Sequence, residues 1–246
     1  GCLLFLMPHL FFVEELSDQS RIVVEGSEAH HAISVLRIES GEEVLLSDGK
    51  GNWVLGAVGD ITRKKFETVV KERGVQSSNQ PKLTVLQGVP KSDRLKEAIE
   101  LMVEAGADEI IPWTAARSIS KWQSDSKDKW ESAALAAAKQ SKRFSIPKIG
   151  DEVKIEEFIS QKTGSFAIIV LHETGGVKLS QVISEKMSDL DEIVLVIGPE
   201  GGISEVELAL FEKSGARVAQ MGEAVFRSAH AGGFALAAIS TLLKRW

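Results

Sequence analysis

The run Ile193-Val194-Leu195-Val196-Ile197-Gly198-Pro199-Glu200-Gly201-Gly202-Ile203-Ser204-Glu205-Val206-Glu207 constrains this chain more than any other stretch. Five consecutive apolar residues, four of them β-branched, suit a strand buried on both faces. Pro199 has no N–H to give to a ladder and ends that strand. Gly201 and Gly202 permit positive φ or close approach of a ligand to the main chain. Ser204 and Glu207 stand at capping-box spacing and open a helix. Gly215 closes that helix about three turns later.

A strand, a glycine turn and a helix N-terminus form a common ligand platform in α/β proteins. For a Gly-Gly pair alone, a purely structural turn is the commoner case. The Gly-Lys-Ser/Thr ending of a Walker loop and the GxGxxG fingerprint are both missing. Glu200 puts a carboxylate where a phosphate cradle has no use for one. A neutral or cationic ligand therefore fits better than a nucleoside triphosphate.

The 246 residues allow one large domain or two smaller ones. Cys2 is the single cysteine, so no internal disulfide framework exists and a reducing, cytoplasmic location is expected. Residues 1–6 read as an extension ahead of Met7, too short for a signal h-region. No run reaches the length of a membrane span. The net charge of −6 argues against a chain that is basic throughout. Residues 117–148 nevertheless hold eight Lys/Arg against three acids, leaving +5. A local basic surface of this kind binds a polyanion by counterion release.

Short apolar stretches at 10–13, 22–24, 44–46, 53–58 and 66–70 predict strands, with a hairpin turn at Asp48-Gly49-Lys50-Gly51-Asn52. A short helix over 27–37, capped by Ser27, interrupts them. Together they predict a small β-barrel over residues 1–75. The polar stretch 74–81 predicts a domain boundary. From residue 82 to 246, strands and helices alternate, which predicts a mostly parallel sheet with helices on both faces. Its helices are expected after the cap Ser92, over 129–143, over 179–187 and over 228–244.

Three of the predicted strands end in glycine turns that each bring one charged group. They are Leu171-His172-Glu173-Thr174-Gly175-Gly176, the Gly198–Gly202 turn with Glu200, and Met221-Gly222-Glu223-Ala224-Val225-Phe226-Arg227-Ser228. Ligands of open α/β sheets bind at the C-terminal ends of strands, so these turns are candidates for one site. His30-His31 lacks the partners of a metal site, and no metal is expected.

The order of these motifs resembles the RsmE-type SPOUT methyltransferases over nearly the whole chain. The resemblance rests on Gly198–Gly202 with Ser204 and Glu207, Met221-Gly222 and Phe226-Arg227. It extends to His30-His31 with Val35-Leu36-Arg37, Asp48–Gly51, Lys91-Ser92-Asp93-Arg94, Glu104–Gly106, Pro112, Arg117-Ser118 and Gln140–Arg143 through Pro147. It implies a PUA-like RNA-binding barrel followed by a trefoil-knotted, SPOUT-type sheet. It implies S-adenosyl-L-methionine as cofactor, a homodimer, and methylation of N3 of one uridine in 16S rRNA of the small ribosomal subunit. The cofactor residues it implies are Leu171, His172, Glu173, Ile197, Gly198, Glu200, Gly201, Gly202 and Ile203, then Met221, Gly222, Val225, Phe226, Arg227 and Ser228. The RNA-binding residues are His30, Arg37, Lys91, Arg94, Arg117, Lys121, Gln140 and Arg143. Arg227 and Glu200 are the catalytic candidates, Glu200 as a base or as a brace for the turn. His230 is a further candidate base.

The chain departs from that pattern at Ala229, where the family has glutamate, and at His9, Leu101, Ala105 and Lys139. Two other readings stay open: another RNA acceptor (a ribose 2′-hydroxyl or a transfer RNA), and an RNA-binding assembly factor without catalysis.

Overall fold

Alternating apolar and polar residues over 9–75 fold into a five-stranded sheet. The computed structural model describes residues 8–77, 80–174 and 176–246. The expected extension over 1–6, Gly175 and part of the expected boundary lie outside the described residues. The strands are β1 (His9–Phe12), β2 (Arg21–Val24), β3 (Glu43–Ser47), β4 (Asn52–Ile61) and β5 (Phe66–Val75), in the order β1-β3-β4-β5-β2. All pairings are antiparallel except β1 with β3. Their inward residues share one core, with Phe11, Ile22, Val44, Leu46, Val54 and Phe66 buried together.

The helix expected over 27–37 is α1 (Gly26–His30) followed by a π-helical turn, His31–Leu36. Ser27 is not its cap, because the helix starts one residue earlier and Glu25 holds the N-cap position without a side-chain bond. Arg37 closes the segment in a left-handed conformation with φ 56°.

This unit also includes Ala138–Ile146, far along the chain. Phe144 stacks on Trp53 with ring centroids 5.4 Å apart. The carbonyl of Phe144 accepts from Ser47 Oγ at 2.6 Å and from Gly51 N at 3.0 Å. Lys139 pairs with Glu28. No local pattern announces such long-range additions.

The second unit comprises the described residues from 80 to 137 with Pro147–Trp246. Its strands are β6 (Lys82–Gly88), β7 (Glu109–Trp113), β8 (Lys148–Ile149), β9 (Phe166–Leu171), β10 (Val177–Lys178), β11 (Glu192–Ile197) and β12 (Arg217–Gln220). They form one parallel sheet in the order β10-β12-β9-β11-β6-β7-β8. The most apolar strand, β11, lies between β6 and β9, and Ile193 to Ile197 are at most 2% exposed. Each such side chain contributes about 1.5–3 kcal/mol by leaving water.

The helices are α2 (Leu95–Glu104), α3 (Ser126–Gln140), α4 (Ile155–Ser160), α5 (Leu179–Val182), α6 (Glu205–Lys213) and α7 (Ser228–Leu242). Helix α2 begins past the expected Ser92 cap, with Arg94 at the N-cap position and no side-chain bond there. Helix α3 starts and stops three residues before the expected bounds, and Lys142 has φ 57°, which a helix cannot continue through. The helix expected over 179–187 is broken at Ile183, whose ψ of 128° is extended, and resumes as a 3₁₀ turn over Glu185–Asp189.

Helix α7 packs on α2 through Gly232 and Gly233. A Cβ on Gly233 would lie 2.7 Å from Leu101 Cβ and 2.9 Å from the Leu101 carbonyl oxygen. Gly233→Ala would gain about 1 kcal/mol of helix propensity. The new methyl meets main chain that has little room to move, and overpacking costs about 1–3 kcal/mol. The variant is expected to melt lower than the parent in calorimetry. An unchanged or raised midpoint would contradict this packing.

At the N-terminal edge of the sheet, Glu109 and Glu192 share Lys82, with Lys148 on Glu109 and Lys162 on Glu192. Burial pushes the Glu109 carboxyl up, but the Lys82 and Lys148 ammonium groups outweigh it and hold it below its ordinary range. A depressed carboxyl stabilises the fold above its unfolded pKa and loses that contribution as pH falls through the folded one. Stability is therefore expected to drop on acidification below about pH 5. Glu109→Gln should lower the melting temperature at pH 7 and lose less of it on acidification. Parallel melting curves for parent and variant at every pH would refute the assignment.

Candidate functional site

Strands β9, β11 and β12 are neighbours or near neighbours in one parallel sheet, so their C-terminal ends open on the same side. The three glycine turns meet there around a cleft of about 470 Å³. Leu171, Ile197, Ile203, Met221, Val225 and Phe226 give it apolar wall, and Glu173, Glu200 and Arg227 bring charge. Every expected cofactor residue lines this cleft except Gly201.

Gly201 serves a different purpose. A Cβ there would lie 2.5 Å from the Arg117 carbonyl oxygen, so the missing side chain admits another chain segment. Gly202 does take positive φ, at +75°, and its N–H donates to the Pro199 carbonyl at 2.9 Å to close the turn. The capping box forms as expected, with Ser204 Oγ accepting from Glu207 N and the Glu207 carboxylate from Ser204 N.

The turn is fixed by donors from distant segments. Trp113 Nε1 donates to the Ile197 carbonyl at 2.9 Å. Ser228 Oγ donates to the Gly198 carbonyl at 2.6 Å and accepts from buried Gln87 Nε2 at 3.2 Å. Gly88 lies against Pro199, where a Cβ would come within 2.5 Å of the proline nitrogen. Lys91 N donates to Glu200 Oε1 at 3.1 Å. Sequence reasoning missed Gln87 and the bond that Trp113 makes to the turn, because both act over long sequence separations.

The expected RNA-binding residues divide between the two units. Lys91 and Arg94 line the cleft, and Arg117 Nη1 lies 4.0 Å from a Cβ position on Gly202. Lys121 is exposed on the segment that follows. His30, Arg37, Gln140 and Arg143 belong to the first unit. His30, Arg37 and Gln140 are exposed there, and Arg143 Nη2 donates to Ser145 Oγ at 3.4 Å. Trp113 and Trp130 are buried in the core, and Trp122 meets Trp130 edge-on.

His230 is turned away from the role of base read above. Its Nε2 lies 2.9 Å from Glu97 Oε1 on α2, and the cleft is lined by its neighbours Ala229 and Ala231 instead. Hydrogen bonds from His230 and then Arg94 hold the Glu97 carboxyl below its ordinary range. Among the described residues no cluster of three or more His, Cys, Asp or Glu is arranged to hold a metal ion. No helix among them is long and apolar enough to cross a membrane.

Comparison with known proteins agrees with this architecture. Residues 77–240 match the RNA methyltransferase domain, and residues 24–71 match the RNA methyltransferase PUA domain. The chain is 35% identical to ribosomal RNA small subunit methyltransferase E of Mycobacterium bovis, over 98% of this chain and 94% of that one. It is 25% identical to the Bacillus subtilis protein of the same name, over 94% and 95%. The crystal structure of the Neisseria gonorrhoeae methyltransferase E, bound to S-adenosyl methionine, superposes with a TM-score of 0.86 at 22% identity, covering 96% of this chain and 98% of that one. A probable rRNA-methyltransferase from Porphyromonas gingivalis superposes with a TM-score of 0.81 at 25% identity, over 96% and 99%. With a matched domain model over most of its second unit and a relative this similar along almost its full length, the chain belongs to the ribosomal RNA small subunit methyltransferase E family, of SPOUT fold.

Proposed function

We propose that this protein is a cytoplasmic, S-adenosyl-L-methionine-dependent methyltransferase acting on N3 of a uridine in 16S rRNA of the small ribosomal subunit. The observation that carries the reading is the cleft at the ends of β9, β11 and β12, walled by apolar side chains and rimmed by Lys91, Arg94 and Arg227. The cofactor fits what is present. Its adenosyl group has apolar wall from Leu171, Ile197, Ile203 and Met221, and its positive charge has the carboxylates of Glu173 and Glu200 in the same lining. When bound, it supplies an electrophilic methyl group on a sulfonium.

Uracil N3 carries a proton at neutral pH, so negative charge develops on the ring and its oxygens as that proton leaves. Arg227 stands at the N-cap position of α7, where its own charge is disfavoured by the positive end of the helix dipole. An anion at the cleft relieves that arrangement and gains from guanidinium and helix together. Arg227 is thus assigned to the developing charge on the uracil. Glu200 holds the turn, since its Oε1 already accepts from Lys91 N. Lys91, Arg94 and Arg117 serve the RNA backbone. Phe226 and Phe234 meet edge-on, 39% and 45% exposed, and support a homodimer in which a second copy covers them.

Arg227→Ala should cut turnover about a hundredfold and leave cofactor affinity within a few-fold. An equal collapse of cofactor affinity in calorimetry would overturn the assignment. Glu200→Gln retains an oxygen for Lys91 N. It should keep turnover within a few-fold, whereas loss of a general base costs about 10²–10⁴.

A further inference from the structure

Glu207 closes its own helix with one carboxylate oxygen and has a second to spare. Oε2 accepts from Ser204 N at 2.8 Å and from Ser204 Oγ at 2.7 Å, which completes the capping box. Oε1 reaches across 91 residues of sequence and accepts from Ala116 N at 2.6 Å. Glu207 itself is buried, at 8% exposure, while Ala116 lies at the surface, so the bond ties an exposed segment to a buried anchor. A helix cap requires only the first pair of contacts. The second joins the glycine turn's helix to the segment that follows β7.

Two further contacts anchor that segment and a third closes a turn within it. Trp113 Nε1 is bound to the Ile197 carbonyl, Thr114 N donates to the Val153 carbonyl at 3.0 Å, and Ser118 N donates to the Ala115 carbonyl at 3.0 Å. Ala115 is buried. Arg117, one residue past the Glu207 contact, is exposed and rests its main chain against Gly201. Its guanidinium lies beside Gly202, a cleft-lining residue. The absence of a side chain on Gly201 and the spare oxygen of Glu207 both act on one object, the placement of Arg117.

We infer that Glu207 is a positioning residue for RNA: it anchors the segment carrying Arg117, so that the guanidinium stands at the rim of the cofactor cleft to receive an RNA phosphate or base oxygen. This rests on the methyltransferase reading above. It assigns to a helix-capping carboxylate a role in substrate capture that capping alone does not need. It also accounts for Gly201 being the one turn residue that does not face the cleft.

The test uses the full-length protein and unmethylated 16S rRNA. RNA affinity is measured by filter binding without cofactor, cofactor affinity by calorimetry and folding by thermal melting. Arg117→Ala and Glu207→Ala should each weaken RNA binding about tenfold, with cofactor affinity within twofold, and the double variant should be no weaker than the worse single. Ser204→Ala, which removes cap contacts but leaves Oε1 on Ala116, should lower the melting temperature and keep RNA affinity within twofold. Glu207→Asp keeps the charge and shortens the reach, and replaces the alanine variant if that one fails to fold. Three outcomes overturn the inference: unchanged RNA affinity in Arg117→Ala, unchanged affinity in the Glu207 variant, or additive losses in the double variant. Parent protein that binds neither RNA nor cofactor would instead overturn the methyltransferase reading on which this rests.

Discussion

The placement of β11 between β6 and β9 is the constraint on which the rest of this structure depends. It puts the most buried strand of the sheet in the centre and delivers the glycine turn to the C-terminal edge. A turn left to itself at that position would fray. Here two of its main-chain carbonyls are taken up by donors from elsewhere, the Trp113 indole on Ile197 and the Ser228 hydroxyl on Gly198, and the turn's own Gly202 N–H takes the Pro199 carbonyl. Buried hydrogen bonds of this kind contribute only about 1 kcal/mol each in net stability, but leaving any partner unmade costs more. The network therefore specifies one geometry for the turn more than it adds to the stability of the fold.

The same economy of parts recurs at α7. Its N-terminus carries Arg227 and Ser228 to the cleft, and its Gly232 and Gly233 let it settle on α2. The residues that shape the cleft and those that pack the helix alternate along a single stretch, so cleft geometry and helix packing cannot vary independently. Charge is arranged with a similar division. The carboxylate–lysine network of Glu109, Glu192 and Lys82 lies at the N-terminal edge of the sheet, while Lys91, Arg94 and Arg227 rim the opposite, C-terminal edge. An acidic chain thus presents cations where a polyanion is needed.

Much of this was legible in the sequence, for definable reasons. The strand–turn–helix over 193–207 reads correctly because each signal is local: apolar run, proline, glycine pair, capping box. The three glycine turns were legible as a set because a parallel sheet sends all its strand ends to one edge. What could not be read depends on contacts across long separations. The attachment of Ala138–Ile146 to the first unit, the Gln87–Ser228 bond and the Glu207–Ala116 bond have no local signature. Gly201 illustrates the limit well. A glycine pair announces close approach, but not whether the approaching group is a ligand or Arg117. His230 shows the opposite error, since a histidine beside a catalytic candidate invites the role of base while its Nε2 belongs to Glu97.

The central claim is that this cleft transfers a methyl group to uridine N3 of small-subunit RNA. The most direct measurement incubates the purified protein with labelled S-adenosylmethionine and small ribosomal subunits lacking the modification, then identifies the labelled nucleoside by mass spectrometry. The account predicts label in 3-methyluridine at a single site in 16S rRNA. Label in a 2′-O-methylated nucleoside, label only in transfer RNA supplied in its place, or cofactor binding with no transfer to any RNA would contradict it.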